Sequence, residues 1–134
     1  VKRAKTYKLI RRHQMLLTRA TFGGEKRRKV DVRLLVDTGS TFTILPIEAV
    51  ERLGYDLQHP IRKERLTAAS GIIWAPVIQL SWFNCLGVTL KNFQVLVYTF
   101  PPGILTDGLL GMDFLTQSKA VISIADAKIR CQSP

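Results

Sequence analysis

Apolar positions along the chain fall mostly into short runs suited to strands, broken at regular intervals by glycine, proline and polar pairs. His13 to Phe22 (HQMLLTRATF) and Val30 to Val36 (VDVRLLV) read as the two arms of a hairpin, with Gly23 to Lys29 at its tip. Phe42 to Leu45 reads as a short strand. Pro46 is placed to open a helix in which Ile47, Val50 and Leu53 share a face before Gly54 ends it. Arg65 to Ala69 and Ile72 to Trp82 flank Ser70-Gly71, a pair suited to a tight turn. After a turn at Asn84 to Gly87, Val88 to Tyr98 shows partial alternation over Phe93, Val95 and Val97, and Thr99 to Asp107, with Pro101, Pro102 and Gly103, reads as a loop. Gly108 to Gly111 encloses a brief apolar strand, Met112 to Ser118 makes one or two helical turns, and Ala120 to Ile124 and Lys128 to Gln132 close the chain as strands. The pattern predicts an all-β domain with two short helices, without repeats or an internal linker.

Composition bounds this picture. The 134 residues suffice for one domain, and 46% apolar residues suffice for a core without metals or staples. No apolar run is long enough to span a bilayer, and the basic N-terminus lacks the pattern of a signal peptide. A targeting or anchoring segment outside this sequence is left open, so a cytoplasmic and a membrane-attached setting both stand. Cys85 and Cys131 lack metal or redox spacing and are expected as buried or half-buried thiols. His13 and His59 are isolated and expected to face solvent or to hold ordinary hydrogen bonds. Cysteine, serine-histidine and metal-centred chemistries therefore have little to draw on, and no cofactor or metal is expected.

Charge is uneven. Twenty Lys and Arg against ten Asp and Glu give +10, concentrated in residues 1–12 and in the run Lys26-Arg27-Arg28-Lys29, with a looser cluster at Arg62, Lys63 and Arg65. Residues 1–12 are read as a basic segment preceding a domain at 13–132. Such a field attracts phosphates and anionic surfaces. Nucleic acid or an anionic membrane surface as a partner is left open but not favoured, because no stacking-aromatic pattern accompanies the charge.

The stretch Leu34-Leu35-Val36-Asp37-Thr38-Gly39-Ser40-Thr41 is the most informative. Three apolar residues describe a buried strand ending in a carboxylate, and Gly39 permits a sharp turn where a Cβ would crowd a facing chain. This stretch resembles the active-site loop of aspartic peptidases, and its single copy resembles the retropepsin-like branch. Leu109-Leu110-Gly111, followed by Met112-Asp113-Phe114-Leu115, matches that family's second signature, two apolar residues and a glycine before a short helix. The Ser70-Gly71 hairpin lies where the family carries its flap. The resemblance spans roughly residues 13 to 132 and implies a single-domain retropepsin-like acid-protease β-barrel with a flap hairpin and one or two short helices.

The resemblance also implies roles. Asp37 would be the catalytic acid or base, Thr38 a brace between the active-site loops of two subunits, Gly39 a backbone requirement, and Ser40 a hydroxyl on the outer carboxylate oxygen, which favours an acidic pH optimum. Ala69, Ser70, Gly71 and Ile72 would close over an extended peptide, with Trp74 near the place where a flap aromatic packs on substrate. Hydrolysis by this route needs two carboxylates around one water, one ionised and one protonated. Because the chain has one Asp-Thr-Gly, a homodimer must supply Asp37 twice. The substrate would then be a peptide or protein, including sites in the chain's own precursor. A non-catalytic module of the same fold, gripping peptides or anionic partners, is the alternative.

The chain departs from viral members at two linked positions. Those often carry an Asp at the position of Thr41 and an Arg at that of Met112, which pair to brace the dimer; here both are uncharged. A cellular or bacterial relative with a weak dimer is the expectation. Residues 1–12 are too basic to guarantee the interleaved terminal strands of the viral enzymes.

Overall fold

In the computed structural model, which describes residues 3–68 and 71–134, the alternating segments form eleven strands and two short helices. Strands β3 (Met15–Gly23) and β4 (Lys29–Val36) make the expected hairpin, with Leu17 opposite Leu35 and Gly23 opposite Lys29. The chain returns through β5 (Ile44–Leu45), helix α1 (Ile47–Arg52), β6 (Arg62–Ala68), β7 (Gly71–Cys85), β8 (Val88–Val97), β9 (Gly108–Leu110) and helix α2 (Met112–Gln117). The order β3-β4-β9-β5-β8-β7, closed by pairing of β3 with β7, is a six-stranded mixed barrel, to which β6 adds at one edge. Closure removes the open sheet edges that would otherwise expose unpaired backbone groups.

The expected basic N-terminal segment contributes two strands, β1 (Lys5–Lys8) and β2 (Ile10–Arg12). β2 forms a hairpin with β3 through His13 and Gln14, both at positive φ, the backbone of a two-residue hairpin turn. β1 pairs within its own chain to the C-terminal strand β11 (Lys128–Cys131), which in turn pairs with β10 (Val121–Ser123).

The barrel core is built from Leu17, Phe22, Leu34, Leu80, Phe83 and Val95, all fully buried. Phe114 of α2 is also fully buried and meets Phe83 edge-on at 5.7 Å, fixing the helix against the barrel. In α1 the buried residues are Ala49 and Val50, whereas Ile47 is exposed; the apolar face is rotated from the expected one. A second small core of Ile44, Ala75, Val77 and Leu96 lies beneath Phe42, Leu66, Tyr98 and Leu109. Both cysteines are buried free thiols, as expected, and His59 is a surface residue whose Nδ1 lies 2.7 Å from Asp56.

Candidate active site

Asp37 follows directly on β4 and is half-buried. Its position is set by the parallel pairing of β4 with β9, in which Leu35 lies opposite Leu109 and Val36 opposite Leu110. The ladder is extended by the Asp37 N–H, which donates to the Leu110 carbonyl at 3.0 Å. Behind Asp37 the chain turns tightly: the Ser40 N–H donates to the Asp37 carbonyl at 3.2 Å, and the Gly39 N–H donates to the Asp37 side-chain Oδ1 at 2.9 Å. Gly39 thus serves the carboxylate through its backbone, and Thr38 projects on the exposed outside of the turn.

The two expected signatures meet here. Met112 N–H donates to the Ser40 carbonyl at 2.8 Å and Asp113 N–H to the Thr41 carbonyl at 3.2 Å, so the first turn of α2 holds the loop after Asp37. Leu110 is fully buried and Leu109 half-buried. Gly111 must be glycine: a Cβ there would collide with the Phe42 carbonyl oxygen and come within 2.9 Å of that of Ser40. Thr41 and Met112 are both exposed and carry no charge between them.

Ser40 does not bond the carboxylate as anticipated. Its hydroxyl donates to the Phe42 carbonyl at 2.7 Å, bracing the loop instead. A polar knot that the sequence reading overlooked lies next to it. Asp113 accepts from the Thr43 N–H at 2.9 Å and from the Thr43 hydroxyl at 2.7 Å, while Thr43 Oγ1 accepts from the Gly111 N–H at 3.2 Å. Thr43 is fully buried, and burial pushes the Asp113 carboxyl above its ordinary range, opposed by the hydrogen bonds from Thr43 and Phe114. An acid in the first turn of a helix beginning just after a glycine was the available signal.

Asp37 opens into a groove of about 470 Å3 whose lining is chiefly apolar: Ile44, Leu66, Tyr98, Phe100, Pro101, Ile104 and Leu109, with Gly39, Ser40 and Thr67. Tyr98 and Phe100 pack edge-on at 5.2 Å. Phe100, Pro101 and Ile104 come from a loop read in sequence only as a proline-glycine turn, and Tyr98 from the end of the strand before it. Asp37 is the one carboxylate among the described lining residues. The other two acids near the motifs are engaged elsewhere, Asp107 on the Arg33 N–H at 2.8 Å and Asp113 on Thr43.

The β6–β7 hairpin overhangs the groove through Leu66 and Thr67, which lie opposite Ile73 and Ile72. Its base is tied down by Arg62, which donates to Glu64 and to Gln94, each at 2.7 Å, and stacks over Phe42 at 6.0 Å. Gly71 and Ile72 are exposed near the tip and do not line the groove; Ala69 and Ser70 lie outside the described residues. Trp74 is 65% exposed.

A closed single-lobed barrel, with an Asp-Thr-Gly turn latched to an apolar-apolar-Gly strand and overhung by a hairpin, defines a retropepsin-like acid protease. The family model described as aspartyl protease matches residues 18–114, and the chain belongs to that family. Among solved structures, it is similar to a retropepsin-like aspartic protease from Rickettsia conorii, at 25% identity over 99% of this chain and 94% of that one, with a TM-score of 0.69. No curated protein matches the chain. Family membership implies acid-protease-type catalysis in general and a peptide or protein substrate.

Proposed function

We propose that the chain is an aspartic endopeptidase that works as a homodimer, each subunit supplying Asp37 to a shared site. The observation that carries this reading is the solitary carboxylate: Asp37 opens into the groove without a second acid among the described lining residues. In the proposed reaction one Asp37 carboxylate takes a proton from the attacking water, while the other, protonated, donates to the scissile carbonyl. Two carboxylates in contact hold one proton between them, so activity should fall on both sides of an optimum.

Thr38, exposed beside Asp37, would meet its counterpart from the second subunit, and Gly39 and Ser40 would hold the turn. Leu109, Leu110 and Gly111 hold the strand that positions it. The hairpin around Gly71 and Ile72, together with Ala69 and Ser70, would close over an extended peptide bound by backbone hydrogen bonds. The apolar walls favour bulky apolar side chains next to the cleaved bond. Self-processing of a longer precursor is compatible with such a preference.

Asp37→Asn should lower kcat/KM by about 100- to 10,000-fold with the melting curve preserved. Added in excess to the unaltered protein, it should also poison activity by forming mixed dimers. Undiminished turnover in the pure variant would remove Asp37 from the chemistry and leave a peptide-binding role for the groove.

A further inference from the structure

The sheet formed by β1, β11 and β10 has one face whose charges are left unbalanced. Side chains alternate across a strand. In β11, Ile129 and Cys131 are buried against the barrel, and Lys128 and Arg130 point out. Register places Lys8 opposite Lys128 and Thr6 opposite Arg130 on one side, with Ser123 and Val121 opposite the same two residues on the other. The outer face therefore carries Lys8, Lys128 and Arg130 together. Like charges directly opposite each other in an antiparallel ladder repel, and Lys8 with Lys128 is such a pair.

Among the described residues, none of these cations is held in an ion pair. The ion pairs among the described residues are Arg62 with Glu64 and His59 with Asp56, both remote in sequence from these strands. Residues 1–12 contain no acid; Asp126, in the β10–β11 turn and bonded to the Ser123 hydroxyl at 3.0 Å, offsets one charge and leaves the face net positive. Arg11 adds a fourth cation by donating to the Ile124 carbonyl at the same turn. Val121, 52% exposed, lies on this face opposite Arg130, and Ile124, 63% exposed, stands at its edge in the β10–β11 turn.

We propose that this face docks on an anionic lipid bilayer, with Lys8, Lys128 and Arg130 against lipid headgroup anions and Val121 and Ile124 entering the headgroup layer. A second copy of the chain fits poorly, because a two-fold contact would set the same cations against themselves. Single-stranded nucleic acid fits less well, because binding it on a sheet calls for aromatic platforms. The one aromatic of these strands, Tyr7, is half-buried and turned inward, its hydroxyl filling the space a Cβ would need at Gly87. A surface that mixes cations with exposed aliphatic side chains matches what an anionic bilayer offers. This docking stands apart from the catalytic reading and is tested without measuring activity.

The test is co-sedimentation of the full chain with phosphatidylcholine vesicles with and without phosphatidylserine. Binding is expected only with phosphatidylserine, weakening with salt. Lys8→Gln, Lys128→Gln and Arg130→Gln combined should lower binding by about a hundredfold, or about fivefold for each charge. Lys26→Gln, Arg27→Gln and Arg28→Gln combined remove the same charge from the β3–β4 loop and should leave most binding intact. Val121→Ser with Ile124→Ser should abolish what persists at high salt. Lys128→Gln alone, expected to lose about fivefold, keeps the test in force if the triple variant does not fold. Equal losses from the two triple variants, equal binding to both kinds of vesicle, or tight binding of a single-stranded oligonucleotide lost in the sheet variants would overturn the proposal.

Discussion

At the scale of single residues, the polar knot of Asp113, Thr43 and Gly111 connects the loop after Asp37 to the helix behind it. Thr43 is fully buried, so truncating its partner strands two donors. Asp113→Ala should cost about 2–3 kcal/mol in urea unfolding. Asp113→Asn keeps an acceptor for the Thr43 N–H, but its amide nitrogen, in place of Oδ1, cannot accept from the Thr43 hydroxyl and the Phe114 N–H, so its cost should fall below that of Asp113→Ala without vanishing. The pH dependence separates the two contributions. Burial holds the folded Asp113 carboxyl above its unfolded value, so the folded chain binds the proton more tightly. This contribution to stability is full below the unfolded carboxylate range near pH 4 and is lost as pH rises toward the folded value. Asp113→Asn should therefore gain stability relative to the unaltered protein between about pH 4 and pH 7. A difference in melting temperature that stayed constant over that interval would contradict the assignment.

At the scale of elements, strand and hairpin placement was largely legible because alternation and turn chemistry are local. The β3–β4 hairpin, the β6–β7 hairpin and the brief β9 all lie close to where the sequence places them. What escaped was set by long-range packing. The alternation that begins only at Phe93 has a physical origin: Val88 and Leu90 are buried, then Phe93, Val95 and Val97, so the inward phase shifts at Lys91 and Asn92, the latter at φ 54°. β7 shifts on the facing rung, from Ile78 and Leu80 to Phe83 and Cys85, and the two strands turn together. The short strands β1 and β2 escaped because cations dominate them, and their pairing depends on β11 and β3 far along the chain.

The hairpin over the groove depends on one backbone angle. Gly71 has φ 119°, outside the range comfortable for a residue with a Cβ. Gly71→Ala should destabilise the hairpin by about 1–3 kcal/mol, read as faster amide exchange at Leu66 and Thr67 while the barrel strands keep their protection. Unchanged exchange at those amides would show that the angle carries no strain.

At the scale of the whole molecule, the barrel builds one groove wall and one carboxylate. The sequence marked that carboxylate clearly, because an apolar strand ending in Asp-Thr-Gly is a local pattern. The groove itself was illegible, because Ile44, Leu66, the stretch from Tyr98 to Ile104 and Leu109 come from separate segments and meet only when the barrel closes. Pairing of β1 with β11 inside one chain engages both terminal strands without a partner, and Thr41 and Met112 carry no charges with which to brace one. The proposed dimer would then rest on the face around the Asp37 turn and be weak.

Mass in solution and specific activity, followed together over a dilution series, test the central claim most directly. The chain weighs 15.1 kDa, and the account predicts that specific activity declines in step with the fraction of the double-mass species as the protein is diluted. Full specific activity at concentrations where only the single chain remains would contradict it.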